Sequence, residues 1–282
     1  MPSGTDELRT DLSVRRAGRP AGTAPTMLFL HGLTDSGAGW PGAVAHWGQR
    51  FAIVTLDQRG HGRSPRFTAE QRAGHPGDVM VDDVLQLLEQ LGDPAVLVGH
   101  SMGGAVALAA AVRRPELVRA LVLEDPALLD VDEEQRSESR GAQLVASVQA
   151  SRDAVDERDL LALRRRVHPD WPEDELLVTG QAEQQMDLDY LRLGDYKPSR
   201  RAPELLRQLS VPALLVTGDR PDEIQVGGAM ERTIRATENS CLTLVRIPDA
   251  GHCIRRAQPE LFYRAVDTWL EATLPGASPV DR

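Results

Sequence analysis

The stretch that decides the fold runs from Val96 to Gly104 and reads Val-Leu-Val-Gly-His-Ser-Met-Gly-Gly. An apolar run comes first, then the pattern Gly-x-Ser-x-Gly at 99–103, then an alanine-rich stretch at 105–112. This order predicts a strand, a very tight turn that carries Ser101, and a helix. Glycine has no Cβ, so the two glycines of the pattern let strand and helix approach closely. The free N–H groups of the helix then face Ser101 and favour negative charge there.

The composition is that of a soluble globular protein. The chain has 282 residues, of which 41% are hydrophobic and 26% charged, and this length suits one large domain or a domain with an insertion. The formal net charge is −10 at pH 7. Binding to nucleic acid needs a basic surface, so we expect no nucleic-acid partner.

Cysteine usage and the N-terminal segment bear on the compartment. The chain has two cysteines, Cys241 and Cys253, too few for a disulfide framework, and this predicts a reducing, cytoplasmic setting. The first 20 residues are polar and lack the apolar segment of a secretory signal. No stretch approaches the roughly 20 apolar residues of a membrane span, and no histidine or second cysteine lies near Cys253 at metal-ligand spacing. We therefore expect no membrane partner, no metal and no organic cofactor.

Short apolar runs alternate with amphipathic stretches such as 79–91 and 262–270. Continuous apolar runs with helices between them are typical of a parallel sheet covered on both faces. Residues 12–16 are expected to add an edge strand. The apolar runs are 27–30, 52–56, 95–98, 120–123, 213–217 and 242–247.

The alternation stops between residue 126 and about residue 197. This region holds no strand-like run, and its pattern predicts helices around 139–150, 156–167 and 173–190. Proline and three acids at 172–175 are typical of a helix start, and the acidic run 130–134 is expected to begin a solvated helix. The predicted organisation is therefore a core of 1–125 and 198–282, with a helical insertion at 126–197.

Ser101 needs a base, and that base needs an acid to orient it. His252 ends the segment Pro-Asp-Ala-Gly-His, directly after the last apolar run, so it is expected at the same sheet edge as Ser101. The acid is expected after the preceding strand, where the chain reads Gly-Asp-Arg-Pro-Asp at 218–222. Serine, then aspartate, then histidine is the chain order of one known arrangement of this triad.

With these pieces in place, the chain resembles the α/β-hydrolase fold superfamily, in its lid-bearing serine esterase and lactonase-like branch. The resemblance covers about residues 27–270. It implies an α/β fold with a mostly parallel central sheet flanked by helices, and it makes 126–197 a helical cap inserted after the sixth strand. The motifs that carry it are His31-Gly32, Asp-Gln-Arg-Gly-His-Gly-Arg-Ser at 57–64, the nucleophile elbow at Ser101, and the segment ending at His252.

The family places its acid three residues after the glycine that ends the strand, and here that position is Pro221. Aligning Asp-Glu-Ile at 222–224 with the usual Asp-x-Ile favours Asp222, with a one-residue insertion. Alignment from the glycine gives Asp219 instead. A third candidate is Asp125, after the run 120–123, because some family members use that position. We prefer Asp222.

The resemblance also implies an oxyanion hole, formed by the backbone N–H groups of Leu33 and Met102. Trp40, Trp171 and His100 are candidates for lining the substrate pocket. A tryptophan is more often buried core than pocket lining. His100 lies on the elbow itself, where its side chain is expected to point away from the serine and to pack or line the pocket.

The sequence thus predicts a serine hydrolase that cleaves a small carboxylic ester or lactone through an acyl-enzyme on Ser101. His252 would be the base, and Asp222 or Asp219 would orient it. Relatives with the same triad support C–C bond hydrolysis, perhydrolysis or cofactor-free lyase chemistry, so these reactions are the alternative. A receptor-like ligand-binding module is a third, less expected hypothesis. A monomer or symmetric homodimer is the default expectation for the assembly.

Overall fold

The computed structural model describes residues 8–128 and 138–274. Among these residues, seven strands form one sheet in the order β1-β3-β2-β4-β5-β6-β7. The edge strand β1 runs antiparallel to β3, and every other neighbouring pair is parallel. This confirms the predicted mostly parallel sheet. The strands are β1 Val14–Gly18, β2 Thr26–Leu30, β3 Ala52–Leu56, β4 Ala95–His100, β5 Val118–Glu124, β6 Ala213–Thr217 and β7 Leu242–Arg246.

The central strands are largely apolar because helices cover both faces of the sheet. Successive side chains of a strand point to opposite faces, and β2 shows this directly. Leu28 and Leu30 join one hydrophobic cluster, whereas Met27 and Phe29 join the other. All four are fully buried, so this strand contributes to two cores at once and needs no polar position.

Helices of the core flank the sheet, and proline begins several of them. The predicted helix 79–91 begins three residues earlier, at Pro76, because proline is well accepted in the first helical turn. A short 3-10 turn, Pro115–Leu117, precedes β5. The helices of the core are α1 Pro41–Trp47, α2 Ala69–Ala73, α3 Pro76–Leu91, α4 Met102–Arg113, α9 Ala202–Gln208, α10 Gly228–Ala236, α11 Ile254–Ala257 and α12 Pro259–Thr273.

Four further helices, here called the insertion helices, lie between β5 and α9. They are α5 Glu138–Asp153, α6 Glu157–Val167, α7 Glu173–Gln184 and α8 Leu188–Leu191. The predicted single helix 173–190 is in fact two, because the Asp187 carboxylate accepts the N–H of Asp189 at 3.0 Å and caps a new helix. The insertion follows the strand of the predicted run 120–123, which is the sixth strand in the family's count and β5 among the described strands. The acidic run 130–134 lies outside the described residues.

A buried ion pair joins the insertion helices. Glu183 on α7 accepts from the Arg164 guanidinium of α6 at 2.8 Å and from the Ser151 hydroxyl of α5. Within the described parts of the chain, no helix has both the length and the apolar character needed to cross a membrane.

Candidate active site

Ser101 occupies the tight turn between β4 and α4. Its φ of 51° and ψ of −115° put a residue with a Cβ in the left-handed half of backbone space, which costs energy and is typical of functional turns. A Cβ on Gly99 would lie 2.5 Å from the carbonyl oxygen of Gly103, and a Cβ on Gly103 would overlap the carbonyl group of Leu30. Both glycines are therefore required by the close approach of strand and helix.

The backbone of Ser101 is tied to the end of β5. Its N–H donates to the carbonyl oxygen of Glu124 at 3.0 Å, and its own carbonyl oxygen accepts from the N–H of Ala127 at 2.9 Å. The residues between Glu124 and Ala127, which include Asp125, are therefore held next to the serine turn.

His252 lies in the loop between β7 and α11. Its Nδ1 is 2.6 Å from the Asp125 carboxylate. The His252 side chain is 29% exposed, whereas Asp125 is completely buried. Because a carboxylate can only accept, Nδ1 carries the proton in this contact. The opposite nitrogen, Nε2, is then free to act as a base.

Four donors fix the Asp125 carboxylate. Besides His252, it accepts from the Thr217 hydroxyl at 2.8 Å, from the N–H of Gln225 at 2.7 Å and from the N–H of Val226 at 3.0 Å. Thr217 ends β6, the neighbour of β5 in the sheet. Donors on both oxygens hold this carboxylate in one orientation, as an orienting acid requires.

The carboxylate that the structure brings to His252 is that of Asp125, and not that of the preferred Asp222 or of the alternative Asp219. Both residues are exposed. The reason lies in the path of the chain after β6: the N–H groups of Asp219 and Arg220 both donate to the carbonyl oxygen of Ala250, at 3.1 and 3.2 Å. That turn carries the two carboxylates outward. Further along the same segment, the N–H groups of Gln225 and Val226 donate to Asp125. The segment after β6 therefore supplies donors to the carboxylate that contacts His252, and not that carboxylate itself.

The two N–H groups predicted to form an oxyanion hole flank the serine turn. The loop after β2 is joined to the elbow by the N–H of Gly103, which donates to the carbonyl oxygen of His31 at 3.1 Å. The peptide that carries the Leu33 N–H has its carbonyl oxygen on Gly32, and His31 Nδ1 holds that oxygen at 2.8 Å. Neither the N–H of Leu33 nor that of Met102 has an acceptor in the described part of the chain. Both are available to an anion.

His31 and His100 are buried and neutral. Burial lowers the pKa of His31, and its ring donates from Nδ1 to the carbonyl oxygen of Gly32 at 2.8 Å while Nε2 accepts the N–H of Gln58 at 3.0 Å. Burial and the neighbouring His252 hold the pKa of His100 well below its usual range. His31 therefore braces the loop that carries Leu33.

His100 packs against the candidate base. The two imidazole rings lie 4.7 Å apart, and His100 Nε2 is 3.1 Å from the carbonyl oxygen of His252. Since a carbonyl only accepts, Nε2 carries the single proton of the neutral His100 ring. Nδ1 is left as a buried acceptor with no partner in the described residues. The expected packing role fits this geometry, and contact with substrate stays a prediction.

The two tryptophans occupy different environments. Trp40 is 1% exposed and lies in the core, with its ring 5.0 Å from that of Phe29. Trp171, between α6 and α7, stacks on His168 with ring centroids 3.7 Å apart. Together with His252, Trp171 lines a cavity of about 570 Å³. Of the two, only Trp171 stands beside the candidate site in the described structure, and its role in substrate binding stays a prediction.

No group of three histidine, cysteine, aspartate or glutamate side chains suited to a metal ion occurs in 8–128 or 138–274. Cys241 and Cys253 are free thiols. Burial raises the pKa of the Cys253 thiol to about 11, so it remains protonated near neutral pH and is a poor nucleophile.

The chain is also similar to known proteins. A family model described as the Alpha/beta hydrolase family matches residues 27–265. The match spans most of the chain, and the protein belongs to this family, as the sequence motifs indicated.

Several similar proteins are named as hydrolases. The 2-(acetamidomethylene)succinate hydrolase of Mesorhizobium japonicum is 27% identical over 263 residues, covering 90% of this chain and 91% of the relative. Lipase LipV of Mycobacterium tuberculosis is 42% identical over 148 residues, covering 52% of this chain and 51% of the relative. The crystal structure of E-2-(acetamidomethylene)succinate hydrolase superposes with a TM-score of 0.74 at 24% identity, covering 92% of this chain and 95% of that chain.

Proposed function

We propose that this protein is a serine hydrolase that cleaves a small carboxylic ester or lactone through an acyl-enzyme on Ser101. The observation that carries the proposal is the 2.6 Å contact between His252 and the buried Asp125 carboxylate. This contact lies beside the strained turn of Ser101, because the N–H of Ser101 donates to the carbonyl oxygen of Glu124, the residue before Asp125. The nucleophile follows β4, the acid follows β5, and the base, in the loop after β7, is held by the acid.

The reaction follows from these positions. Asp125 holds Nδ1–H of His252, so Nε2 takes the hydroxyl proton of Ser101 as the serine oxygen attacks the carbonyl carbon. His252 then gives this proton to the leaving alcohol oxygen as the carbon–oxygen bond breaks. A water molecule attacks the acyl-enzyme, His252 accepts its proton, and Ser101 is released with its hydroxyl restored.

The negative charge of the tetrahedral intermediate falls on the former carbonyl oxygen. The N–H groups of Leu33 and Met102 are the donors that we assign to it. They need no reorganisation, because His31 holds the Gly32–Leu33 peptide through the carbonyl oxygen of Gly32 and the first turn of α4 fixes the peptide of Met102. One such donor is typically worth about 10²- to 10³-fold in kcat.

The insertion helices act as a cap in this proposal. Glu175 on α7 accepts from the Arg256 guanidinium of α11 at 2.7 Å, which joins the insertion to the segment that carries His252. The leaving group must lie within reach of His252, since that residue protonates it. Ser101 is not among the described residues that line the cavity of His252 and Trp171, so we assign this cavity to the part of the leaving group beyond the oxygen that His252 protonates. The volume of the cavity is within the usual range for small-molecule pockets.

A second candidate is hydrolysis of 2-(acetamidomethylene)succinate, the compound in the name of the Mesorhizobium japonicum relative. Similarity over 90% of this chain favours it, and the same serine, histidine and aspartate would carry out the cleavage. Assaying this compound beside simple esters separates the two candidates. Activity on diketones alone would favour the C–C hydrolase alternative, and tight ligand binding without turnover would favour a receptor-like module.

The test combines labelling with turnover. The protein is incubated with a fluorophosphonate, the adduct is located by peptide mass spectrometry, and a chain-length series of p-nitrophenyl esters is assayed. We expect the adduct on Ser101 and a clear optimum of chain length. Ser101→Ala should abolish both signals, whereas Ser147→Ala, at an exposed serine of α5, should change neither. Ester turnover by folded Ser101→Ala above the uncatalysed rate would refute the mechanism.

A further inference from the structure

Two consecutive acidic residues, Glu124 at the end of β5 and Asp125 directly after it, bind the same short segment of the chain at two points. Asp125 binds the His252 imidazole. Glu124 binds residue 255, with one carboxylate oxygen 2.8 Å from the N–H of Arg255 and the other 2.7 Å from its guanidinium. The side chains of Glu124 and Arg255 are both completely buried. The segment from His252 to Arg255 is therefore held at both ends by consecutive residues of one strand end.

We propose that Glu124 is a positioning residue for catalysis, acting through the segment that carries His252. This inference rests on the proposed function, in which His252 is the base. Glu124 also holds the nucleophile, because its carbonyl oxygen accepts the N–H of Ser101 at 3.0 Å. One residue thus contacts both sides of the proton transfer, through its backbone on one side and its side chain on the other.

The side-chain contact matters because α11 is too short to fix itself. It spans four residues, Ile254–Ala257, and its N-cap residue Cys253 makes no side-chain cap. The N–H of Arg255 lies in the first helical turn, where no acceptor exists within the helix. The Glu124 carboxylate supplies that acceptor and so fixes the direction in which the helix begins, three residues after His252.

The partner of Glu124 is itself immobile. The Arg255 guanidinium also donates to the carbonyl oxygen of Gly39 at 2.8 Å and lies 4.0 Å from the ring centroid of Trp40. Between the two anchored ends, Ile254 is completely buried in the core. A small shift of a catalytic group is known to cost much of the rate, so releasing one end of this segment should slow the proton transfer.

Glu124 has no exposed surface, so it cannot touch a substrate. A positioning role therefore predicts a fall in kcat with little change in KM. Breaking a buried ion pair also destabilises a protein, and a merely structural role would show this loss without the selective kinetic effect. A matched control is Glu183, whose carboxylate binds the Arg164 guanidinium within the insertion helices with both side chains at most 10% exposed.

The experiment compares Glu124→Gln with Glu183→Gln in the full chain, well below the melting temperature of each. We expect both variants to have a lower melting temperature than the wild type. Glu124→Gln should lower kcat by about 10- to 100-fold, with KM changed by less than about threefold, and should slow fluorophosphonate labelling in proportion. Glu183→Gln should retain both rates within about threefold. Equal kinetic losses in the two variants, or a wild-type kcat in Glu124→Gln, would overturn the proposal.

The double variant Glu124→Leu/Arg255→Met separates stability from positioning. It removes both buried charges together and replaces them with apolar side chains, a change that proteins often tolerate. We expect its melting temperature to lie near that of the wild type and its kcat to stay low, because the backbone N–H of residue 255 has lost its acceptor. Full activity in this variant would contradict the inference. Labelling of the wild type at Ser101 tests the proposed function separately, since it does not depend on Glu124.

Discussion

Acidic residues lie at the ends of two neighbouring strands of the sheet. Those at the end of β5 are buried, whereas those after β6 are exposed. β5 ends with Glu124, followed by Asp125, and both are completely buried with donors around every carboxylate oxygen. β6 is followed by Asp219 and Asp222, and both are exposed. The chain order of the motif pointed to the second pair. The comparison shows that the donors surrounding a carboxylate decide whether it joins the site, and chain order alone does not.

The largest effect should follow from removing the acid at the end of β5. Asp125→Asn keeps the shape of the side chain but presents an amide N–H to His252, which favours the wrong tautomer of the imidazole. We expect kcat for an ester to fall about 10³- to 10⁴-fold, by analogy with the same change in a known triad. Steady-state kinetics on p-nitrophenyl esters measures it.

The matched control lies at the end of β6. Asp222→Asn makes the same chemical change at an exposed position and should leave kcat and KM within about twofold of the wild type. If the Asp222 variant lost activity and the Asp125 variant kept it, Asp222 and not Asp125 would be the acid that orients His252.

An effect of intermediate size is expected on the stability of the protein at low pH, and it depends on the buried histidine His61. Burial lowers the pKa of His61 to about 3, whereas the unfolded value is about 6.5. Between these values the unfolded chain binds more protons, so the stability from this residue is fully present above about pH 6.5 and is lost as pH falls toward 3. The loss is about 1.4 kcal/mol per pH unit.

Urea unfolding between pH 4.5 and 7.5 measures this slope. Burial also lowers the pKa values of His31 and His100, so the wild-type slope should exceed the contribution of one residue. His61→Gln should flatten it, whereas Asp222→Asn, at the exposed end, should not. An unchanged slope in His61→Gln would mean that His61 is not held neutral in the fold.

The smallest effect concerns one donor to the buried acid. Thr217→Val keeps the shape of the side chain and removes the hydroxyl that donates to Asp125 at 2.8 Å. One such hydrogen bond is worth about 1 kcal/mol, so we expect stability to fall by about that amount and kcat by about fivefold. Thr243→Val, at an exposed position of β7, is the control and should change neither. Wild-type kcat in Thr217→Val would show that the other donors suffice.

Much of the fold was readable from the sequence because it depends on local rules. The serine turn needs an apolar strand, two glycines and a helix, and all of these lie within residues 96–112. The buried strands of the sheet needed only continuous apolar runs. The break between α7 and α8 was not visible, because Asp187 is one polar residue among many and its capping role appears only in three dimensions.

The acid was the hardest part to predict. Which carboxylate reaches His252 depends on the path of the chain after β6, and the carbonyl oxygen of Ala250, about 30 residues away in sequence, sets that path. Asp125 was among the candidates only because some relatives use that position. The pairing of Glu124 with Arg255 gave no sequence signal, since a buried acid at a strand end resembles any other polar boundary residue.

The most direct test of the account is the proton on Nδ1 of His252, observed by NMR in protein labelled with ¹⁵N-histidine. A hydrogen bond from this nitrogen to a buried carboxylate moves its proton resonance strongly downfield. We predict that the resonance is present in the wild type and in Asp222→Asn and is absent in Asp125→Asn. Loss of the signal in Asp222→Asn, with the signal retained in Asp125→Asn, would contradict the assignment of Asp125 as the acid that orients His252.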